Sequence, residues 1–338
     1  MDAVSERVAR DRFRGCLAGL AVGDALGATV ELCSASEIRA RFGVHREIIG
    51  GGWLGLAPGE VTDDTEMALC IARSIAELGR VEPGDIARRF VEWFLRGPKD
   101  VGTTVARVLS RIAAGERWEE AAERVYRAAP HRAAGNGSLM RTAPVALFHV
   151  WRPRELVQAS LEVSRITHAH PEAMWACVAL GQAIATAIQA NAAPAEALLS
   201  AAAAVPEPAV RRAVEDAPAL DPETAATSGY VLNTLRIALW AVSSHDSFED
   251  AVVAAVNLGG DADTAGAVTG ALAGARAGIT GIPQRWLGVL RGRAELVALA
   301  DRLLDLARPP GACDEDTHDS PHVNASNLPL VATPAQSM

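Results

Sequence analysis

Two stretches of this chain place a glycine at every fourth position, and this spacing restricts the folds open to it. On an α-helix, residues four apart lie on one face, so the glycines form a ridge without side chains that another backbone can approach closely. Each glycine costs about 1 kcal/mol in helix propensity, and close helix crossing is the expected compensation. The ridges consist of Gly15, Gly19, Gly23 and Gly27, and of Gly266, Gly270, Gly274 and Gly278.

The composition of the 338-residue chain favours close-packed helices over sheets. Hydrophobic residues make up 49% of it and aromatic residues 4%, alanine is abundant, and alternating Val, Ile and Thr patterns are scarce. The sequence therefore predicts an all-α fold. No composition shift marks a linker, so we predict one domain over residues 1–308. Residues 309–338 lack an apolar period, which predicts a disordered tail.

Charge, cysteine usage and the N-terminus narrow the class of protein. A formal charge of −9 argues against nonspecific nucleic-acid binding, for which a basic face is expected. Five scattered cysteines predict reduced thiols in a reducing compartment. Residues 1–14 lack the apolar core of a signal peptide, and the Ala-rich run 176–205 predicts a buried helix followed by a loop rather than a membrane span. We therefore expect a cytoplasmic protein.

Two acidic clusters are the main candidates for a functional site. Carboxylates this close stay ionised together only if a cation lies between them, and such hard oxygen ligands suit Mg²⁺ or Mn²⁺ rather than Zn²⁺. Asp and Thr also cap helix N-termini, and each cluster precedes a helical pattern. The presence of two clusters, the second led in by Gly259-Gly260, favours a two-metal site built from two helix starts. The clusters are Thr62-Asp63-Asp64-Thr65 and Asp261-Ala262-Asp263-Thr264.

Two further acidic residues lie at the end of the first glycine stretch. Asp24 falls inside an apolar helix pattern, where a carboxylate usually caps or pairs with a neighbouring element, so a structural role is predicted. Glu31 lies just beyond the pattern and is the better candidate for the site.

A glycine-rich turn and two histidines lie between the clusters. The turn Gly135-Asn136-Gly137-Ser138 either cradles a phosphate group or simply leads into a helix, because glycine-rich turns without a lysine are unspecific. His168 and His170 are expected to hydrogen-bond to substrate or structure rather than to metal, because the acidic clusters already supply hard ligands.

These motifs, in this order and spacing, resemble those of the ADP-ribosylglycohydrolase family. The resemblance covers about residues 10–305. Within the family, segments 23–31, 50–54 and 61–67 are most similar to the bacterial branch that acts on dinitrogenase reductase. The resemblance implies a compact, orthogonal multi-helix fold with a central cleft that holds two Mg²⁺ or Mn²⁺ ions.

The resemblance also implies roles for individual residues. Asp100 matches the general base or acid, and Glu31 matches an acidic residue near the metals. Around ADP-ribose, Asn136, Gly137 and His168 match binding positions, and Tyr230 matches a tyrosine that covers the cleft. The pyrophosphate is expected at the turn ending in Ser138, and a close approach of the ligand at Gly259 and Gly260. The residues that match metal ligands are Thr62, Asp63, Asp64, Asp261, Asp263 and Thr264.

The leading hypothesis is a metal-dependent hydrolase that removes ADP-ribose from an arginine of a modified protein, with dinitrogenase reductase as the target. The alternatives are hydrolysis of ADP-ribosyl-serine, O-acetyl-ADP-ribose or another ADP-ribose conjugate, and a non-catalytic ADP-ribose binder, which the complete ligand set disfavours. Segment 224–229 departs from the Lys-Gly-Gln-Ser loop of the nitrogenase-linked enzymes. A nitrogen-regulatory signalling protein is an expected partner, and the chain is expected to be a monomer.

Overall fold

The regular elements in the described part of this protein are helical. The structure is a computed structural model that describes residues 3–190 and 193–308, so the tail expected over residues 309–338 lies outside the described residues. The described part forms sixteen α-helices and no sheet, as the composition predicts. The helices are α1 (Ala3–Gly27), α2 (Ala35–Phe42), α3 (Asp63–Leu78), α4 (Pro83–Leu95), α5 (Thr103–Ala113), α6 (Trp118–Ala128), α7 (Ala143–Phe148), α8 (Pro153–Arg165), α9 (Pro171–Gln189), α10 (Ala195–Ala203), α11 (Pro208–Glu215), α12 (Val231–Ser244), α13 (Phe248–Val256), α14 (Ala262–Ala277), α15 (Gln284–Val289) and α16 (Arg293–Ala307).

Helices α1 and α14 run antiparallel through the core with their glycine ridges facing each other. A β-carbon on Gly19 would lie 2.2 Å from the carbonyl oxygen of Gly270, and one on Gly270 would lie 2.0 Å from that of Gly19. Gly23 and Gly266 are related in the same way, at 1.9 and 2.3 Å. The predicted close crossing is confirmed, and each ridge is the partner of the other. Gly278 lies at the C-cap of α14 with a φ of 73° and still meets the first ridge, because a β-carbon on Gly15 would lie 2.5 Å from its carbonyl carbon.

This antiparallel pairing brings the end of α1 to the start of α14. A β-carbon on Gly27 would lie 2.2 Å from the carbonyl oxygen of Ala262. Two backbone hydrogen bonds of 2.8 Å continue the contact, from Leu32 N to the carbonyl of Gly260 and from Gly260 N to the carbonyl of Cys33. The segment carrying Glu31 is therefore held against the second acidic cluster.

Asp24 ties the start of α3 to the same end of the helix pair. Its fully buried carboxylate accepts hydrogen bonds from the backbone N–H of Thr62, at 3.1 Å, and of Thr65, at 3.2 Å, and from the Thr65 hydroxyl. These N–H groups have no partner within their own helix, so Asp24 caps α3 from outside. Burial raises the pKa of Asp24 to about 6. The predicted structural role is confirmed.

One described helix, α9, is long and apolar enough to cross a membrane by length and composition alone. Within the protein, 67% of that segment is buried. The sequence predicted a loop after this helix, but α10 lies there instead. Pro194 directly precedes α10, and proline is well tolerated where a helix begins, so here it marks a helix start rather than a break.

Candidate active site

A cavity of about 330 Å³ opens where α1, α3 and α14 meet. This volume lies within the usual range for small-molecule sites. Both acidic clusters reach its wall, together with Glu31 and Asp100, which lie outside the clusters in the sequence. The carboxylates in the wall are those of Glu31, Asp63, Asp100, Asp261 and Asp263.

These carboxylates are close together and have no cationic partner in the described part of the chain. Glu31, Asp100 and Asp263 each offer one oxygen, and these oxygens lie within 4.8 Å of one another. Burial is the main cause of raised pKa values, reinforced by the neighbouring acids: the pKa of Glu31 is raised to about 7 and that of Asp63 to about 8. The pKa values of Asp100 and Asp263 are raised as well. The arrangement is costly without a compensating positive charge.

The donor set fits a divalent cation. All the side chains concerned offer oxygen, and Oδ1 of Asp64 is buried without a hydrogen-bond partner, while the Thr62 hydroxyl donates to Oδ2 of the same residue at 3.0 Å. A buried acceptor without a partner is rare in a native structure. Hard oxygen ligands of this kind match Mg²⁺ and Mn²⁺. Thr62 and Asp64 lie behind the cavity wall, while Thr264 forms part of it.

Helix capping does not account for the two clusters. Thr62 occupies the N-cap position of α3 and Asp261 that of α14, yet neither side chain makes a capping hydrogen bond. Two N–H groups at the start of α3, those of Thr62 and Thr65, donate to Asp24 instead. In α14, Oδ1 of Asp263 accepts a hydrogen bond from the N–H of Thr264 at 2.8 Å. This bond does not explain why the Asp263 side chain also lines the cavity. The capping alternative that the sequence left open is therefore insufficient.

Asp100 reaches the cavity from the loop between α4 and α5. Oδ2 of Asp63 accepts a hydrogen bond from the backbone N–H of Gly102 at 3.2 Å, which holds one end of the loop. At the other end, Lys99 pairs with Glu60 at 2.7 Å. The first acidic cluster therefore positions the loop that carries Asp100.

Glu31 is held by Trp53, which the sequence did not identify as a site residue on its own. The indole Nε1 donates to Oε2 of Glu31 at 2.6 Å, and 55% of the Trp53 side chain is exposed. The loop of Trp53 packs on the end of α1, since a β-carbon on Gly52 would lie 2.2 Å from the carbonyl oxygen of Ala28. Gly52 also has a φ of 67°. Trp53 thus places an exposed aromatic ring at the rim of the carboxylate cluster.

The glycine-rich turn forms the part of the wall next to Asp261. Asn136 N donates to the carbonyl of Gly229 at 3.0 Å, which fixes the turn against the segment before α12. The side-chain amide of Asn136 donates to Oδ2 of Asp261 at 2.6 Å and to the hydroxyl of Thr234 at 2.9 Å. Asn136 therefore connects the turn to the second acidic cluster, and Gly137 lines the cavity beside it.

Three of the residues expected to contact substrate lie elsewhere. The Ser138 side chain is buried and accepts a hydrogen bond from Ser164 at 2.9 Å. A β-carbon on Gly259 would lie 2.4 Å from the carbonyl oxygen of Cys33, and one on Gly260 would lie 2.2 Å from that of Thr227. The close approach that these glycines permit is made by the backbone of the protein itself.

A second cavity, of about 860 Å³, adjoins the first and contains Tyr230 in its wall. The Tyr230 hydroxyl donates to Glu172 at 2.8 Å. His170 lines this cavity and accepts the N–H of Glu172, so it caps α9. Arg132, which no sequence motif singled out, lines both cavities, as do Gly135 and Gly229.

Comparison with known proteins decides the family. The family model described as ADP-ribosylglycohydrolase matches residues 5–313. The chain belongs to the ADP-ribosylglycohydrolase family. It is similar to the ADP-ribosyl-[dinitrogen reductase] glycohydrolase of Rhodospirillum rubrum, with 38% identity over 308 residues that cover 88% of this chain and 97% of that protein.

Two further relatives extend the comparison. The ADP-ribosylarginine hydrolase Tri1 of Serratia proteamaculans is 32% identical over 312 residues, which cover 90% of this chain and 82% of that protein. A solved structure, an "ADP-ribosylglycohydrolase-related protein complex", matches with a TM-score of 0.77 and 40% identity, covering 89% of this chain and 100% of that one. The family and the all-helical ADP-ribosylglycohydrolase fold expected from the motifs are confirmed. The roles of individual residues stay predictions.

Proposed function

We propose that this ADP-ribosylglycohydrolase releases ADP-ribose from an ADP-ribosylated arginine of a target protein in a metal-dependent reaction. The observation that carries the proposal is the convergence of Glu31, Asp100 and Asp263 within 4.8 Å in the wall of a cavity. The names of two relatives, which specify ADP-ribosylarginine and dinitrogen reductase, support the protein-linked substrate. The proposed cofactors are two Mg²⁺ or Mn²⁺ ions, with Thr62, Asp63, Asp64, Asp261, Asp263 and Thr264 as ligands.

Hydrolysis of this N-glycosidic bond requires two proton transfers. The attacking water must lose a proton as its oxygen bonds to the anomeric carbon, and the guanidine nitrogen must gain one as the C–N bond breaks. Bound divalent cations would orient the ribose hydroxyls and lower the pKa of that water. Asp100 is the proposed general base or acid, and Glu31, whose pKa burial raises to about 7 in the metal-free protein, is the second carboxylate proposed for proton transfer. The surrounding carboxylates would also stabilise the positive charge that develops on the ribose.

The rest of the cavity wall suits the ADP part of the substrate. The anionic pyrophosphate is disfavoured near the carboxylates. Its proposed binding groups are the Gly135–Gly137 turn and the guanidinium of Arg132, which also line the cavity. Backbone turns rich in glycine bind phosphate through N–H groups. Asn136, His168 and Tyr230 keep their proposed places around the bound ligand.

The proposed target is dinitrogenase reductase, on the basis of the similarity to the Rhodospirillum rubrum protein. The segment 224–229 departs from the sequence expected for such enzymes, and its last two residues, Ser228 and Gly229, form part of the wall of the second cavity. This position would place it against the protein that carries the modification. Target choice is therefore expected to depend on this segment, and a nitrogen-regulatory signalling protein remains the proposed regulatory partner.

The test compares ADP-ribose release from arginine-ADP-ribosylated and serine-ADP-ribosylated proteins, each with Mn²⁺, with Mg²⁺ and with a chelator. We expect release from arginine only, abolished by the chelator. Asp100→Asn is expected to lower kcat by about 10²-fold or more, which is the usual contribution of a general acid or base. Asp246→Asn, the same chemical change at an exposed residue in the loop after α12, is the matched control and should change kcat less than about twofold. Release from serine alone, or release that survives the chelator, contradicts the proposal.

Removal of the Trp53 indole N–H is expected to weaken catalysis without loss of stability. Trp53→Phe keeps an exposed aromatic ring but takes away the donor that holds Glu31 at 2.6 Å. Because Trp53 is largely exposed, its hydrogen bond to Glu31 adds little to stability, but without it the Glu31 carboxylate is no longer fixed in the cluster. We therefore expect kcat/KM to fall by about tenfold, about 1.4 kcal/mol of transition-state stabilisation, with an unchanged melting temperature. Steady-state kinetics and thermal unfolding check this result. An unchanged kcat/KM would show that Glu31 does not depend on Trp53.

A further inference from the structure

We propose that Arg141, acting through Thr167, fixes His168 as the tautomer that carries its proton on Nε2. The family resemblance already implies that His168 lies beside ADP-ribose, and the fixed tautomer would turn a neutral N–H toward the pyrophosphate of that ligand. Arg141 is a positioning residue in this scheme and does not touch the ligand. The ligand's identity rests on the function proposed above. The tautomer of His168 in the ligand-free protein is independent of the proposed function.

The three residues form a buried chain of hydrogen bonds. Nη2 of Arg141 lies 2.7 Å from Oγ1 of Thr167, which in turn lies 2.8 Å from Nδ1 of His168. Their exposed fractions are 0%, 1% and 2%. Phe90 fixes the guanidinium further, with its ring centroid 4.4 Å from Cζ. No carboxylate pairs with Arg141 among the described residues, so its charge is not used in an ion pair.

The direction of each hydrogen bond follows from the chemistry of the groups. A guanidinium can only donate, so the Thr167 oxygen accepts from Arg141. The Thr167 hydroxyl proton then needs an acceptor, and the available one among the described contacts is Nδ1 of His168. A proton on Nδ1 would leave the buried hydroxyl without an acceptor, which is costly. Nδ1 must therefore be bare, and the imidazole proton lies on Nε2.

Nε2 lies on the edge of the imidazole ring that meets the glycine-rich turn. A β-carbon on Gly135 would lie 3.2 Å from Nε2, and one on Gly137 would lie 2.9 Å from Cε1 of the same ring. His168 lines the cavity, and its Nε2 has no protein partner in the described part of the chain. Burial, together with the charge of Arg141, lowers the pKa of His168 to about 3. The ring is therefore a neutral donor at the position where the turn would bind phosphate.

This arrangement explains why the turn contains two glycines. Any side chain at Gly137 would displace the imidazole, because 2.9 Å is shorter than real contacts of a β-carbon. The N–H of Asn136 is already bonded to the carbonyl of Gly229, so Nε2–H of His168 and the backbone N–H of Gly137 are the donors that the turn region would present to one anionic group. A phosphate oxygen accepts such donors well, and Arg132 adds positive charge to the same cavity.

The test is a long-range ¹H–¹⁵N correlation spectrum of the full-length protein labelled with ¹⁵N-histidine, with His168→Gln to assign the signal. We expect His168 to show a protonated Nε2 and a bare Nδ1 without ligand. A protonated Nδ1 or a cationic ring would overturn the proposal, and the tautomer is read from the wild-type protein, with the variant serving only to assign the signal. The spectrum also decides the tautomer if the wild-type protein fails to bind ADP-ribose, a result that would refute the proposed function instead.

Thr167→Val and Thr167→Ser form the matched pair for the ligand part. Valine removes the hydroxyl, and we expect the Nε2–H tautomer to be lost as the sole form and KM to rise about tenfold, with kcat changed less than about twofold, because the pyrophosphate is remote from the bond that breaks. Serine keeps the hydroxyl and should keep both the tautomer and KM. Equal ADP-ribose affinity of the valine variant and wild type, or a serine variant as impaired as the valine one, would overturn the proposal.

Discussion

Asp263→Asn is expected to lower kcat/KM for ADP-ribose release by about a thousandfold and, in the absence of metal, to raise the melting temperature. The loss of activity follows because Asp263 belongs to the carboxylate cluster and is only 2% exposed. Metal ions contribute several kcal/mol to transition-state stabilisation, and each 1.36 kcal/mol corresponds to a tenfold rate change. Asparagine keeps the shape of the side chain but removes the charge that a cation requires.

The gain in stability follows from the same crowding of charge. Burial and the nearby acids, Asp64 first among them, raise the pKa of Asp263 well above its ordinary value. The folded metal-free protein therefore binds a proton that the unfolded chain releases, and its stability falls as the pH rises above about 4, the ordinary value for aspartate. The asparagine variant lacks this group, so its advantage should be present at neutral pH and disappear near pH 4.

Thermal unfolding with a chelator and with saturating Mn²⁺, at neutral and acidic pH, checks both parts. Asp246→Asn is the control, because Asp246 is exposed and lies in the loop after α12. This control should keep wild-type activity and the full increase in melting temperature on addition of Mn²⁺. If Asp263→Asn gains as much stability from Mn²⁺ as the wild type does, Asp263 is not a metal ligand.

Local spacing predicted the parts of the fold that local physics determines. The glycine interval implied helices that pack at close range, and the apolar context of Asp24 implied a structural carboxylate. The spacing did not specify the partner of either ridge. Gly19 and Gly270 are in contact although most of the described chain lies between them in the sequence. Such a contact depends on the whole arrangement of helices rather than on a local repeat.

The site shows the same division. The clusters around Asp63 and Asp263 were predicted as metal ligands because each places several oxygen donors next to one another in the sequence. Trp53 and Arg132 were not, because an exposed tryptophan or arginine acquires a role only through the tertiary neighbour it reaches. The glycines before the second cluster were assigned to a ligand, although a glycine permits the approach of any backbone, and Gly260 receives that of Thr227.

Gly270→Ala is expected to destabilise the protein by about 3 kcal/mol or more, or to prevent folding. The added methyl group would lie 2.0 Å from the carbonyl oxygen of Gly19, and this neighbour is backbone that cannot rotate away. Relief would require α1 and α14 to separate along their whole interface. Overpacking of a well-packed core usually costs about 1–3 kcal/mol, and a backbone clash at the centre of two long helices lies at or beyond the upper end of that range.

Gly288→Ala is the matched control for urea unfolding. Gly288 is exposed in α15 and has no heavy atom within 4 Å of the position of an added β-carbon, so alanine should be neutral or stabilising by up to about 1 kcal/mol through helix propensity. A Gly270→Ala variant within about 1 kcal/mol of wild type would show that the ridges tolerate separation. Because the same pairing holds Glu31 beside Asp263, the folded fraction of Gly270→Ala should also bind Mn²⁺ more weakly, whereas Gly288→Ala should not.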